Sequence, residues 1–276
     1  MPELTRQDGF PTGALHAFFA SVLKLSSMDV PHSTIVFFDK GGSVRHREIY
    51  AEYKANRADM PEALRLQIPE IMKLCELMGF GIVVREGIEA DDLLAAAAEK
   101  LARKDSLISI VSADKDFAQL VRPGIRQLLP PAPQKQALGW RELDMVGVKT
   151  KFGVPPSQIP DFLALVGDSA DNIPGIDGVG PATAAKWLKE YGDLESIIRR
   201  ADWVKPEKYR KIIADSAERL RLNLKLVTLD KSEDIGEINC TRPNFGALAE
   251  FLEGMEMTRS VGALKKFAKD QYQTDL

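Results

Sequence analysis

Three times in its first half the chain runs a short, apolar, β-rich stretch directly into carboxylates. STIVFFD ends in Asp39, FGIVVRE leads into GIEADD with Glu89, Asp91 and Asp92, and SLISIV leads into SADKD with Asp114 and Asp116. Short apolar runs bounded by turn residues read as buried strands. If these strands run parallel, their carboxyl ends share one rim, which is where open α/β sheets build their sites. The pattern therefore predicts an α/β fold, with a central, mostly parallel sheet flanked by helices and its acids gathered at one edge.

A fourth acidic segment lies further on. In GDSADNIPGIDGVGPATAAKWL, residues 167–188, Asp168 and Asp171 precede a Pro/Gly-rich turn that opens a helix. Together the segments supply eight carboxylates. Packed together, that many acids repel one another and their pKa values rise, and bound divalent cations relieve the repulsion. Oxygen-only ligation favours Mg²⁺ or Mn²⁺ over zinc. Downstream of the acids, Gly178-Val179-Gly180 with Pro181 at a first helical position presents bare backbone N–H groups suited to a phosphate.

Residues 13–25 carry apolar side chains at 15, 18, 19, 22 and 23, a helical stripe. Residues 61–78 also read as helix, kinked or split at Pro69. LLAAAAEKLARK follows GIEADD with strong helix propensity. One acid in its first turn would serve capping, but three within four residues exceed that need. Residues 122–140 form a Pro-rich connection with a short strand at IRQLL. Helices are expected at 142–152, at 157–166 begun by Ser157, and at 193–200. Residues 205–228 carry a basic helical face (Lys205, Lys208, Arg210, Lys211, Arg219, Arg221, Lys225), and the tail ends in a helix with Lys265, Lys266 and Lys269. No internal repeat is present.

The net charge of −3 over 276 residues excludes a global nucleic-acid signature, so any such binding depends on a local patch. Residues 40–57 supply one: Lys40, Arg45, Arg47, Lys54 and Arg57 interleave with Tyr50 and Tyr53. Cations with aromatics suit single-stranded or frayed nucleic acid; the alternative is a solvated helix face whose tyrosines cover core. His16, His32 and His46 are scattered, which favours surface or core roles over metal ligation. Cys75 and Cys240 suggest neither a disulfide framework nor a zinc site, and Cys75 sits at a core spacing. No apolar run is long enough to span a membrane, and MPELTRQDG does not read as a signal peptide, so a cytoplasmic protein is expected.

These motifs together resemble the 5′-nuclease (flap endonuclease) family, most closely the form found as the 5′→3′ exonuclease domain of bacterial DNA polymerase I. The resemblance runs from GFPTGAL at residue 9 to the C-terminal helix. VFFD, EIYAEYKANR, MPEALRLQIPEI, GIEADD, SADKD and FGVPPSQIPDFLALVGDSADNIPGIDGVGPATAAKWL carry it. It implies a PIN-like nuclease domain over 1–150, with a basic helical arch at about 40–75. A helical DNA-binding subdomain would follow over 151–276, with a helix–turn–helix (helix-hairpin-helix) DNA clamp at about 157–190.

The resemblance also implies two divalent ions, Mg²⁺ or Mn²⁺, activating water for attack on a DNA phosphodiester at 5′ flaps, nicks or 5′ ends. Matching positions put Asp39, Glu89, Asp91 and Asp114 in a first ligand set and Asp116, Asp168 and Asp171 in a second, with Asp92 between them. Lys54 and Arg57 match arch residues that contact the reacting phosphate. The arch's upstream arginine falls on His46 without a gap, or on Arg45 or Arg47 after a one-residue shift. In the clamp, Gly178 and Gly180 would approach duplex backbone with Thr183 and Lys186 nearby, and a K⁺ ion would sit in the turn. A monomer working alongside a DNA polymerase is implied. One departure bears on activity: family members begin with an apolar strand ending in Asp, and this sequence starts inside the loop that follows. Two readings stay open, a start that is mis-set or truncated, or a catalytically impaired DNA-junction binder. An RNA-cleaving relative is a weaker third.

Overall fold

The computed structural model describes residues 4–28, 31–131 and 139–274. Its first half contains α1 (Gly13–Met28), β1 (Ile35–Lys40), α2 (Val44–Ile49), α3 (Glu62–Arg65), α4 (Ile68–Leu77), β2 (Gly81–Glu86), α5 (Ala90–Leu101), β3 (Ile108–Val111) and β4 (Ile125–Leu129). After these come β5 (Arg141–Leu143), α6 (Met145–Phe152), α7 (Ile159–Val166), β6 (Gly167–Asp168), β7 (Ile173–Pro174) and α8 (Pro181–Tyr191). The chain closes with α9 (Leu194–Arg199), α10 (Lys208–Asp215), α11 (Ala217–Val227), α12 (Phe245–Gly254) and α13 (Thr258–Tyr272). The expected Pro-rich connection lies in part outside the described residues, since 132–138 are not among them.

Two compact units interleave along the sequence: Met1–Phe38 with Ala58–Val84 and Ile235–Leu276, and Asp39–Arg57 with Arg85–Asp234. Compactness thus divides the chain otherwise than the sequence division at 150/151. In the first unit α1, α4, α12 and α13 bury Leu15, Phe19, Leu74, Leu248, Leu252 and Leu264 in one core. Pro69 splits the helix expected at 61–78: α3 ends at Arg65 and α4 restarts at Ile68 with the proline in its first turn, where a missing N–H costs nothing. Between them Gln67, only 3% exposed, turns its Oε1 to the amides of Ala14 and Leu15 at 2.8 and 3.0 Å. It therefore caps α1 from a distance in sequence. Cys75 is buried as its spacing predicts, and burial pushes its thiol up to about 12.

The second unit carries the larger core, built on α7, α8, α9, α10 and α11 with Ile159, Leu163, Leu165, Trp187, Leu188 and Ile213 fully buried. Trp187 packs edge-on against Tyr209, ring centroids 5.3 Å apart, and donates its indole N–H to Lys205 O at 2.9 Å. The α7 helix begins at Gln158 without a side-chain cap, so the Ser157 cap expected from sequence is not made; Ser157 lies instead in a short 3₁₀ turn.

The strands appear where the apolar runs predict them, and parallel pairing is present. Gly81 N–H donates to Thr34 O and Gly87 N–H to Lys40 O, so β1 and β2 run in one direction. β3 and β4 pair parallel, Ile108 opposite Ile125, and β5 adds antiparallel to β4. Among the described residues the ladders are separate, β1–β2 and β3–β4–β5, rather than one continuous sheet. Leu107 and Val111, 59% and 45% exposed, show that the run around β3 is less covered than a fully buried strand.

Candidate active site

The expected acids come from four places, and all lie in the second unit. Asp39, at the end of β1, accepts the N–H of Ala90, the first residue of α5, at 2.8 Å. Glu89 holds the N-cap position of α5 in extended backbone but makes no cap bond, which frees its carboxylate. Buried to 5% exposure, that carboxylate accepts the Tyr53 hydroxyl at 3.0 Å and pairs with Lys54 Nζ at 2.7 Å. Burial, then the charge of Asp114, pushes Asp91 up to about 7, with Asp39 and Glu89 adding to the shift and Lys54 opposing it. Asp39, Glu89, Asp91 and Asp114 thus share one electrostatic neighbourhood.

Asp116, Asp168 and Asp171 form a tighter group, one carboxylate oxygen of each lying within 4.8 Å of the others. Burial first, then Asp114 and Asp168, pushes Asp116 up to about 8. The loop that bears Asp114 and Asp116 is held from beneath by Gln127, which is fully buried on β4. Its Nε2 donates to Ser112 O at 2.9 Å and Asp114 O at 2.6 Å. Asp168 and Asp171 sit on the turn of the β6–β7 ladder, where Gly167 pairs with Pro174 and Asp168 with Ile173. Asp168 Oδ1 accepts Ala170 N–H at 3.0 Å, which fixes that carboxylate.

The basic stretch is stitched onto this turn. Lys54 N–H donates to Asp171 O, Asn56 Nδ2 to Ser169 O and Asn172 Nδ2 to Glu52 O. Lys54 adopts φ 57°, a left-handed conformation that closes the turn. Arg57 Nη2 then reaches Asp171 Oδ1 at 2.6 Å, and Lys54 Nζ lies 3.8 Å from Asp171 Oδ2. Burial pulls the Arg57 pKa down, but the Asp171 hydrogen bond and charge outweigh it and raise it. Lys115, between the two acids of SADKD, pairs with Asp168 Oδ2 at 2.7 Å.

Some expected positions stand elsewhere. Asp92 is buried, and its Oδ1 accepts the backbone N–H of Asp230 at 2.8 Å. A carboxylate one residue past Asp91 on a helix points about 100° away from it, so Asp92 ties α5 to the segment after α11 instead of joining the other acids. Burial raises it to about 6. Arg45 pairs with Asp230, and Arg47 donates to the carbonyls of Ser43 and Gly41. His46 is a core residue, 4% exposed, with its ring 4.8 Å from that of Tyr53. Tyr53 is 6% exposed, and Tyr50 packs against the same core, so here the tyrosines cover core rather than offer stacking faces. The Tyr53 hydroxyl bridges the acid sets, 3.0 Å from Glu89 and 3.3 Å from Asp171. Sequence reasoning missed Tyr53, Lys115 and Gln127 as parts of the site. The usable signals were a lysine enclosed by two acids and a glutamine inside an apolar strand.

The arrangement suits hard divalent cations. The donors are all oxygens, three of them converge, and Asp116 Oδ1 is buried with no hydrogen-bond partner among the described residues. A buried, orphaned carboxylate oxygen is costly unless something positive meets it. Because Asp91 and Asp116 are raised, the folded ion-free chain keeps protons that the unfolded chain loses from about pH 4 upward. Such groups cost the fold nothing below about pH 4, and the loss of stability grows until it is complete above about pH 8. In EDTA the protein is therefore expected to melt several degrees lower at about pH 8.5 than at about pH 5.5, with Mg²⁺ or Mn²⁺ narrowing the gap. A melting temperature that rises over that range in EDTA contradicts the assignment.

The turn after the acids has the expected form. Gly178 has φ 76°, Gly180 is the extended N-cap of α8, and Pro181 occupies the first helical turn. A Cβ on Gly180 would meet nothing within 4 Å, so this backbone faces open space. Gly178 O accepts the Tyr209 hydroxyl at 2.8 Å, while Gly178, Gly180 and Lys186 are exposed and Thr183 is half-buried.

Residues 1–153 match the family model of the 5′-3′ exonuclease N-terminal resolvase-like domain, and residues 154–242 that of the 5′-3′ exonuclease C-terminal SAM fold. The chain is 36% identical to the 5′-3′ exonuclease of Aquifex aeolicus over 280 residues, covering 100% of this chain and 93% of that one. It is 38% identical over 256 residues to the thermostable DNA polymerase I of Thermus thermophilus, covering 92% of this chain but 30% of the polymerase. Among solved structures, T5 5′-exonuclease with bound zinc superposes with a TM-score of 0.66 at 24% identity, over 92% of this chain and 89% of that one. The catalytic core of Rad2 in complex with DNA substrate superposes with a TM-score of 0.64 at 16% identity, over 96% and 86%. The fold is therefore shared with both. On the family models and the Aquifex relative, the chain belongs to the 5′-3′ exonuclease family, whose members are hydrolases.

Proposed function

We propose that this protein is a structure-specific 5′-nuclease that hydrolyses DNA phosphodiesters at 5′ flaps, nicks or free 5′ ends. The observation that carries the reading is the convergence of Asp116, Asp168 and Asp171 beside Glu89 and Asp91, with Lys54 and Arg57 laid directly on it. Asp39, Glu89, Asp91 and Asp114 would hold one Mg²⁺ or Mn²⁺, and Asp116, Asp168 and Asp171 a second. Divalent ions there supply an activated water and neutralise charge on the phosphodiester. Lys54 and Arg57 then have two tasks: they balance Glu89 and Asp171 before substrate arrives, and they turn to the scissile phosphate when it does. Arg45 and Arg47 stand on α2 of the same stretch for phosphates further along the strand, though Arg45 must first release Asp230.

The 178–186 turn grips duplex backbone away from the cut, with Gly180 giving the approach and Lys186 the charge. A K⁺ ion in this turn would bind backbone carbonyls, one lone pair of Gly178 O being held by Tyr209. Work beside a DNA polymerase, as a monomer in the cytoplasm, completes the reading. The DNA polymerase I relatives support the partnership, and no helix among the described residues is long and apolar enough to cross a membrane.

Cleavage of a 5′-labelled flap duplex in Mg²⁺, abolished by EDTA, tests the hydrolase reading. Salt-sensitive flap binding without any cut would leave a junction binder instead. A DNA flap exchanged for an RNA one separates the substrate classes. Gly180→Ala tests the clamp separately. It is expected to cost less than about 1 kcal/mol in stability, since the space is open and only the N-cap preference changes. Duplex affinity should fall about tenfold, or ~1.4 kcal/mol. Unchanged affinity on a footprinted duplex would remove this turn from the interface.

A further inference from the structure

One cation at the acidic trio belongs to no position that family resemblance assigns. Lys115 Nζ lies 2.7 Å from Asp168 Oδ2, and its side chain is 36% exposed while that of Asp168 is 8% exposed. The rest of the trio is balanced unevenly. Asp171 meets Arg57 at 2.6 Å and Lys54 at 3.8 Å, whereas Asp116 has no ion pair among the described residues and an orphaned Oδ1.

Asp168 has one oxygen committed to the backbone, Oδ1 accepting from Ala170, and the other committed to Lys115. A divalent ion shared by the three carboxylates would therefore meet Lys115 as a competitor at Oδ2. The ammonium is a compact point charge on a flexible four-carbon stem, so it can swing to solvent without moving the loop. The loop itself stays fixed, because Gln127 holds the carbonyls of Ser112 and Asp114. Lys54 and Arg57 differ in this respect: the Lys54 N–H donates to Asp171 O, and Arg57 Nε donates to Ala170 O at 3.4 Å, so both are tied to the Asp171 turn.

We propose that Lys115 is a positioning residue that stands in for a divalent ion in the ion-free protein: it holds Asp168 beside Asp116 and Asp171, and it gives up that place when the ion binds. The proposal rests on the reading of these carboxylates as a metal centre. It predicts opposite effects of one substitution. Lys115→Gln removes a positive charge beside the ion, so divalent affinity should rise about 5- to 50-fold. The same change leaves the trio less balanced, so the ion-free protein should melt at a lower temperature. A merely structural lysine would show weakened ion binding together with the lower melting point.

The experiment is Mn²⁺ titration followed by electron paramagnetic resonance of the free ion, with melting curves in EDTA and in Mn²⁺. It compares the full chain with Lys115→Gln, Lys115→Arg and Asp116→Asn. Support is tighter Mn²⁺ binding by Lys115→Gln, near-native binding by Lys115→Arg, and a melting loss in EDTA that Mn²⁺ repairs. Should the Gln variant fail to fold, Lys115→Ala carries the same expectation. Equal or weaker Mn²⁺ binding by the charge-removing variants, with the wild type binding normally, overturns the proposal and leaves the metal centre standing. No Mn²⁺ bound by the wild type overturns the metal centre, and the proposal with it. Loss of one bound Mn²⁺ per chain in Asp116→Asn places the titrated ion at this trio; an unchanged number of bound ions overturns the proposal.

Discussion

Asp116→Asn is expected to lower Mg²⁺-supported cleavage of a 5′-flap duplex by roughly 10²–10³, the scale on which removal of one electrostatic stabiliser acts. Asn keeps the shape, and the Asp116 N–H that donates to Asp114 Oδ1 at 3.0 Å is untouched. What disappears is one of three charges within 4.8 Å of each other, from the carboxylate that burial and its neighbours already push up to about 8. The same loss should raise stability in EDTA at about pH 8.5, by on the order of a few kcal/mol, because a group raised in the folded state costs most where it is forced to ionise. Activity and ion-free stability should therefore move in opposite directions. Cleavage within about threefold of the wild type, under saturating Mg²⁺ and with the variant folded, would take Asp116 out of the ligand set.

The outline of this site was legible because each acid announces itself locally. A strand ending in Asp39, a strand running into Glu89 and Asp91, and a strand running into Asp114 and Asp116 require only short windows to read. Pro69 likewise marked the break between α3 and α4. The unreadable parts depend on partners distant in sequence. Asp92 looks like its neighbour Asp91 until Asp230, 138 positions away, claims it with a backbone N–H. Tyr53 reads as a stacking residue until Glu89 and Asp171 enclose its hydroxyl, and their charges with burial raise its pKa. Gln67 caps a helix more than fifty positions upstream. The separate ladders also escaped a local reading, since an apolar run shows that a strand forms but not what it pairs with. Local chemistry thus named the carboxylates, while their balance with Lys54, Arg57 and Lys115 emerged only in three dimensions.

That dependence on backbone geometry gives the second large effect, at a residue with no charge. Gly167→Ala is expected to destabilise the protein by at least about 3 kcal/mol and to abolish divalent binding at the Asp116, Asp168 and Asp171 trio, although every carboxylate remains. Gly167 has φ 80° and ψ 174°, a region essentially restricted to glycine, where another residue costs of order 1–3 kcal/mol. A Cβ there would also lie 2.6 Å from Ile173 O and closer still to Gly175 N, across the β6–β7 ladder. Both obstacles are backbone, so no side chain can rotate to make room. Relief requires the strands to part, and that moves Asp168, the next residue, and Asp171 in the enclosed turn. A drop of roughly 8 °C or more in melting temperature should accompany loss of Mn²⁺ affinity. Gly180→Ala is the control, since its Cβ meets open space and the fold should keep its melting point. If Gly167→Ala melts with the wild type and still binds Mn²⁺ at the trio, the carboxylates are not placed by this ladder, and the tight trio must owe its geometry to something other than the glycine turn.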